Sequence, residues 1–492
     1  MRLLFLLVGL FAICSVLGGC PAWSGQSIGS QESSEATPLS GSGLLPQGVA
    51  IGDVTSQGAL LWLRTDGAAV VRVEWAPLSV WKQVSTSATV VALISRTALL
   101  KTGAETDYTL TIPLVGLTPS TRYRYHVVVG PAESSQSQLP GKPAATGEFV
   151  TLPDVTSSEA VSFAWSGDLG SGGRCRRGVD GYPIFDVVRR YHPDFFLFLG
   201  DTIYGDHVCP SPPNEPGADF KATTLDAYRL RHRYQRSADA LRRFLVETPV
   251  YVVWDDHEVR NNFAGPYDEQ MPAGRQALRE YWPIASPRED PHRLYRTVRY
   301  GADLELFILD VRQYRSRNVD QDGASKTMLG AAQLAWLLDG LQASTATWKV
   351  IATPVPLSIP KGGDSSVPGN DGWAGGPDGT GFERERQVIV DTILNRKIKN
   401  VVFLSGDVHW VQANAYDPNQ DGAVDFHEYI AGPLSAPPGR FAPTQVGLHP
   451  TELFYETGYH NFGLARVTKY DFHVSVVDET GKERVSHRIV AQ

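Results

Sequence analysis

A chain of 492 residues is too long for one ordinary core and implies two domains or one large one. Its 42% apolar and 20% charged residues are the proportions of a globular protein. The 45 basic and 53 acidic side chains leave a net charge of −8 with both signs interspersed, which excludes a basic footprint for nucleic acid, and no internal repeat points to a solenoid.

The first twenty residues, MRLLFLLVGLFAICSVLGGC, join one Arg to an apolar stretch that closes on Leu17-Gly18-Gly19-Cys20. So short a run reads as a secretory signal rather than a membrane span. Its ending resembles the lipobox of bacterial lipoproteins, which implies cleavage before Cys20 and lipidation of that residue; a plain signal peptide cut nearby is the alternative. Residues 21–44, rich in Ser, Gly, Gln and Glu, then form a flexible tether. The expected place is the bacterial cell envelope, with the protein exported and anchored to a membrane through Cys20. Once Cys14 leaves and Cys20 is lipidated, Cys175 and Cys209 are left, and in an oxidising compartment a disulfide is expected of them before a metal pair.

Residues 45–152 alternate or run apolar between turn-rich segments, as in ALLWLRT, VRVEWAP and RYRYHVVV, and predict an all-β module. The piece LVGLTPSTRYRYHVVV resembles the closing half of a fibronectin type III sandwich, and no ionisable cluster marks the module as more than a packing or spacing domain.

From 153 to 492 strand-like runs alternate with helical patterns such as GYPIFDVVRRY and GAAQLAWLLDGLQAS, the signature of a layered α/β domain. Polar residues collect at the strand ends, where such folds bind ligands. VSFAWSGDLG ends in Asp168, FFLFLGDTIY in Asp201 and Tyr204, VYVVWDDHE in Asp255, Asp256 and His257, and NVVFLSGDVHW in Asp407 and His409. One strand ending in Asp is ordinary turn chemistry. Four, two followed by His and one by Tyr, are better explained by cations that relieve the mutual repulsion of the carboxylates. A phenol, with a free pKa near ~10, binds as phenolate to a strong Lewis acid, which points to ferric iron. The carboxylates suit a harder divalent ion, Ca first, with Mg, Mn or Zn as alternatives.

The order GDxG (Gly167 to Gly170), GDxxY (Gly200 to Tyr204), Asp256-His257-Glu258 and GDVH (Gly406 to His409) resembles the metallophosphoesterase pattern of purple acid phosphatases. GDTIYGD, WDDHEVRNN, LDVRQYRS and LSGDVHW are similar to the alkaline phosphatase D family, which also carries an N-terminal β-sandwich. The resemblance implies an αββα metallophosphoesterase domain preceded by a fibronectin III-like sandwich. It implies iron held by Asp168, Tyr204, His409 and a bridging Asp201, and a second metal held by Asp201, Asp256 and Asp407, with Asn261 or Asn262 as alternatives to Asp256. His257 would face the substrate and stabilise charge or give a proton to the leaving oxygen. Many family members have Cys where this chain has Asp168, and purple acid phosphatases have Asn and His where it has Asp256 and Asp407.

The expected activity is hydrolysis of phosphate mono- or diesters by metal-activated hydroxide, with the protein acting as a monomer. A phospholipase D-like phosphodiesterase is the alternative, and a non-catalytic surface adhesion protein a further one. The phosphoryl group calls for a cation, for which Arg312 is first choice against a plain salt bridge to Asp310 or a neighbour, with Arg174 and Arg260 behind it. Finally, DPNQDGAVDFHE, Asp417 to Glu428, has the spacing of a calcium loop, or else is a hairpin turning at Asp421-Gly422.

Overall fold

The apolar run FFLFL is the strand Phe195–Leu199, buried at every position, as is Val250–Val253. Strands covered on both faces need no alternation of polar residues, yet period two still sorts their side chains. Phe196 and Phe198 meet Phe244 and Phe185 of the helices Asp239–Glu247 and Ile184–Arg190. Phe195 instead reaches Tyr300 of a second sheet, ring centroids 6.5 Å apart. The protein, in this computed structural model, is described over residues 43–83, 92–362 and 368–492; the signal segment, Cys20 and the tether up to residue 42 lie outside the described residues.

The same sorting builds the second sheet. Phe307, Ile351 and Phe403 share one core with the helices Gly330–Ala343 and Glu383–Asn395. Their neighbours Leu306, Val350 and Val402 join the core between the two sheets. The result is helix, sheet, sheet, helix. Among the described residues the first sheet runs Glu483–Val490, Asp471–Asp478, Asn461–Val467, Val161–Ser166, Phe195–Leu199, Val250–Val253, Val49–Gly52, Gly58–Arg64, Thr109–Val115. The second runs Arg296–Tyr300, Leu304–Ile308, Trp348–Ala352, Val401–Ser405, Phe426–Ile430, Val411–Tyr416, Pro450–Glu456. In each sheet the central strands are parallel, so their carboxyl ends emerge on one side.

The N-terminal sandwich is less separate than its sequence suggests. Its strands Ala69–Pro77, Arg122–Pro131 and Ala145–Val150 lie in a sheet of their own, but Val49–Gly52 pairs in parallel with Val250–Val253 through Gly52 and Val250. One of its sheets thus continues the first catalytic sheet. The fully buried Arg236 guanidinium packs 3.7 Å from the Trp62 ring and 4.9 Å from that of Trp282, and Trp62 donates its indole N–H to the Glu280 carbonyl at 2.6 Å.

The segment Asp417–Glu428 is the hairpin of the two readings. Val411–Tyr416 and Phe426–Ile430 pair antiparallel with Tyr416 opposite Phe426, and the Asp417 carboxylate accepts the backbone N–H groups of Asp421 and Gly422 at 3.1 and 3.0 Å. Glu428, the residue that would close a calcium loop, is wholly buried in its strand and accepts from Leu357 N, Ser405 Oγ and the Tyr416 hydroxyl.

Candidate metal centre

Each parallel strand delivers its polar residues in the turn that follows it. Asp168 follows Val161–Ser166; Asp201 and Tyr204 follow Phe195–Leu199; Asp255, Asp256 and His257 follow Val250–Val253; Asp407 and His409 follow Val401–Ser405. The turns are sharp. Asp168, Asp201, Asp407 and His409 all have left-handed backbone, with φ of 63°, 49°, 69° and 62°. Non-glycine residues adopt that region at a cost of about 1–3 kcal/mol each, which surrounding bonds must offset. At Asp201 the offset comes from Glu258, whose buried carboxylate accepts the N–H groups of Asp201, Thr202 and Asp255 at 3.1, 2.7 and 3.0 Å. Gly200 is required beside it: its φ is 91°, and a Cβ there would lie 2.3 Å from Asp255 Cβ.

The turns bring two groups of donors together. Asp168, Asp201 and His409 offer ligand atoms within 4.8 Å of one another, and so do Asp255, Asp256 and Asp407. Asp201 also makes such a group with Asp256 and His257, so it stands between the two. The Tyr204 hydroxyl is 2.9 Å from His409 Nε2, which is 3.4 Å from Asp168 Oδ1, and His409 Nδ1 is fixed by the Pro437 carbonyl at 2.8 Å.

Among the described residues, buried Oδ2 of Asp168, Asp255 and Asp407 and Oδ1 of Asp256 have no hydrogen-bond partner. Four carboxylate oxygens buried without a hydrogen bond are costly unless cations take them. The electrostatics agree. Burial, reinforced by Asp256 and Asp255, pushes Asp201 well above the usual carboxylate range. Burial, with Asp201 and Asp168, pushes the Tyr204 phenol well above its ordinary value. These residue types fit metal ions, and the hard oxygen donors with one phenol fit the classes expected from the sequence.

Positive charge is supplied unevenly. Burial opposes ionisation of Asp256, but the charges of His257, Arg312 and Lys361 outweigh it and hold Asp256 below the usual range. Lys361 Nζ bonds Asp407 Oδ1. Burial works against a charge on His257, yet Asp256 and Asp206 raise it to about 9, and its Nδ1 is 2.7 Å from Asp206 Oδ1.

Arg312 differs from expectation. It is wholly buried, with Nε donating to Asp255 Oδ1 at 2.5 Å and the two terminal nitrogens to Asp371 at 2.7 and 2.8 Å, so its fork is engaged within the protein and not presented to a substrate. The salt-bridge reading holds with Asp255 and Asp371 as partners, not Asp310, which instead accepts from Trp254 Nε1 at 2.7 Å. Arg260 pairs with Asp268 at 2.5 Å, and Arg174 lies on the surface 3.3 Å from His460 Nε2. Asn262 gives its backbone N–H to Asp256 Oδ2 at 2.7 Å. Cys175 and Cys209 form a disulfide, Cα atoms 5.9 Å apart, beside the Ser171–His207 contact of 2.6 Å.

The family model of the PhoD-like phosphatases matches residues 169–468, and that of their N-terminal domain residues 31–153. The chain belongs to the PhoD-like phosphatase family. It is 28% identical over 426 residues to alkaline phosphatase D of Bacillus subtilis, spanning 78% of this chain and 67% of that protein. The solved structure of PhoD matches with a TM-score of 0.71 at 22% identity, over 92% of this chain and 91% of that one. A purple acid phosphatase from yellow lupin (Lupinus luteus) seeds matches with a TM-score of 0.60 at 13% identity, over 91% and 75%. These two likenesses establish the layered α/β fold behind a β-sandwich. As a PhoD-like phosphatase the chain is a hydrolase of phosphoric ester bonds.

Residues that the sequence did not mark complete the site. Asp206 carries His257; Asp371 joins Arg312 to Arg315; Lys361 meets Asp407. Asp206 stands in the same short motif as Asp201, but nothing in its spacing names His257 as its partner. Lys361 and Asp371 come from a Gly- and Pro-rich loop that has no periodicity to read.

Proposed function

We propose that this protein is an exported, lipid-anchored phosphoesterase that releases phosphate from mono- or diesters at a centre holding Fe(III) and a divalent ion, Ca before Mg, Mn or Zn. Asp168, Tyr204, His409 and Asp201 would hold the iron, and Asp201, Asp256 and Asp407 would hold the divalent ion. Residues 45–152 are the sandwich domain and 153–492 the catalytic domain. The observation that carries this reading is the position of Asp201 between two donor groups whose carboxylates have orphan buried oxygens. Export is supported by the Leu17–Cys20 sequence and by a disulfide, a bond suited to an oxidising compartment.

When bound, such cations supply Lewis acidity, which offsets charge on the phosphoryl oxygens and acidifies water. The protein's own groups do the rest. Hydrolysis forms one bond from water oxygen to phosphorus and breaks the bond to the leaving oxygen, which must gain a proton. His257 is placed to give it. Asp206 accepts from Nδ1, so Nε2 is turned toward Asp256, 4.0 Å away, on the side of the metal ligands. Arg312 and Glu258 keep the carboxylate turns in place.

The test is a panel of monoester, diester and phospholipid substrates on metal-analysed protein, with visible spectra. A phenolate on ferric iron absorbs in the visible, so the parent should be coloured and Tyr204→Phe colourless with its fold intact. Colourless, iron-free parent protein with full activity would overturn the assignment. Turnover confined to phospholipid would move the reading to the phospholipase D-like alternative.

A further inference from the structure

The phosphoryl group needs a cation from the protein, and Arg312 is sealed away from it. Lys361 is not. Its side chain is 27% exposed, whereas that of Asp407, which it bonds, is 2% exposed, so the lysine side chain runs from the surface to the buried carboxylates. It is close enough for its charge to act on Asp256, His257, Asp407 and His409 alike, residues from both donor groups. Lys361 bonds Asp407 through Oδ1, and Asp407 Oδ2 is among the orphan oxygens. One carboxylate can thus serve the lysine and a metal together.

The buried network beneath explains how a flexible side chain is aimed. The Lys361 carbonyl accepts from Asp371 N at 2.8 Å. The Asp371 carboxylate is gripped by both terminal nitrogens of Arg312, by Arg315 Nη1 at 3.2 Å and by Asn318 Nδ2 at 3.0 Å. The rigid planar fork is spent on holding the loop, and the loop presents the ammonium, a compact charge on a long stem.

We infer that Lys361 is the substrate-binding cation of this site: it takes a phosphoryl oxygen of the ester, while Arg312 and Asp371 are positioning residues that fix the backbone from which it reaches. This rests on the phosphoesterase reading above. A rival explanation for a lysine among metal-type carboxylates is that its ammonium stands in for the divalent ion.

The deciding experiment measures inorganic phosphate binding by calorimetry, and metal content by elemental analysis, on the parent and on Lys361→Met. Phosphate should bind the variant on the order of 10- to 100-fold more weakly, the worth of one charge-assisted bond, with metal content unchanged. Unchanged phosphate affinity would overturn the inference. So would a gain of one divalent ion per chain, which marks a stand-in cation, or a loss of metal, which marks a ligand support. If Lys361→Met does not fold, Lys361→Gln, which can still bond Asp407, is read by the same two measurements. A parent that binds no metal and hydrolyses no ester would instead defeat the phosphoesterase reading, whatever the variants do.

Discussion

The two sides of the centre are built by different means. On the Tyr204 side, Asp168, Tyr204 and His409 sit within a few residues of their strand ends, and fixed backbone contacts such as Pro437 O to His409 Nδ1 orient them. On the Asp256 side, three aspartates are held beside Lys361 and Arg312, which arrive from elsewhere in the chain. The first side is a set of donors on stiff turns. The second is a cluster of negative charge that the protein itself partly neutralises. Removing a donor should therefore cost the first side its ion and little stability, whereas removing the buried Arg312 should cost the second side stability.

Asp201 belongs to both sides, so its loss should erase the distinction. Asp201→Asn is expected to lose both metals together and to lower turnover by at least about 10²-fold, the scale on which even partners that only orient ligands matter. Elemental analysis that found one ion kept at full occupancy would break the comparison. His257→Ala leaves both sets of ligands in place and removes the positioned proton donor; turnover should fall by roughly 10²–10⁴-fold while metal content and colour persist. Loss of colour in that variant would instead tie His257 to the Tyr204 side.

Arg312→Ala sharpens the contrast through stability. It leaves Asp255 buried without its cation and Asp371 with Arg315 alone, and breaking a buried ion pair in this way costs about 3–5 kcal/mol. Urea unfolding should register that loss. A change below about 1 kcal/mol, the size of an ordinary substitution, would mean that the Asp256 side does not rely on its cations.

What the sequence made legible follows the same division. That Asp168, Asp201, Tyr204, Asp256, His257, Asp407 and His409 come together was readable because strand-ending motifs keep such side chains next to an apolar run, and the disulfide because few thiols were left to pair. The layered fold was readable from the alternation of buried strands with amphipathic helices. Arg312 was singled out correctly as a residue at a strand end, but its burial depends on Asp371, 59 positions further on. Lys361 was invisible for the same reason: its meaning comes from a contact with Asp407 across 46 positions, in a loop where Gly and Pro set direction and periodicity says nothing. The calcium-like spacing of Asp417 to Glu428 left two readings open because a side-chain pattern does not show that its last residue, Glu428, is drawn into a strand.

The pairing of Gly52 with Val250 has a consequence for how the protein stays dispersed. Val250–Val253, sequence VYVV, has Phe195–Leu199 on one flank and the N-terminal strand on the other, where Asp53 N also donates to the Val250 carbonyl at 3.1 Å. Without residues 43–152 the Val250 carbonyl on that flank loses its partner and much of the strand edge is bared, the kind of surface onto which other chains add. The sandwich thus serves as an edge guard: a catalytic region cut free of it would present the edge of Val250–Val253 to its neighbours and self-associate through it.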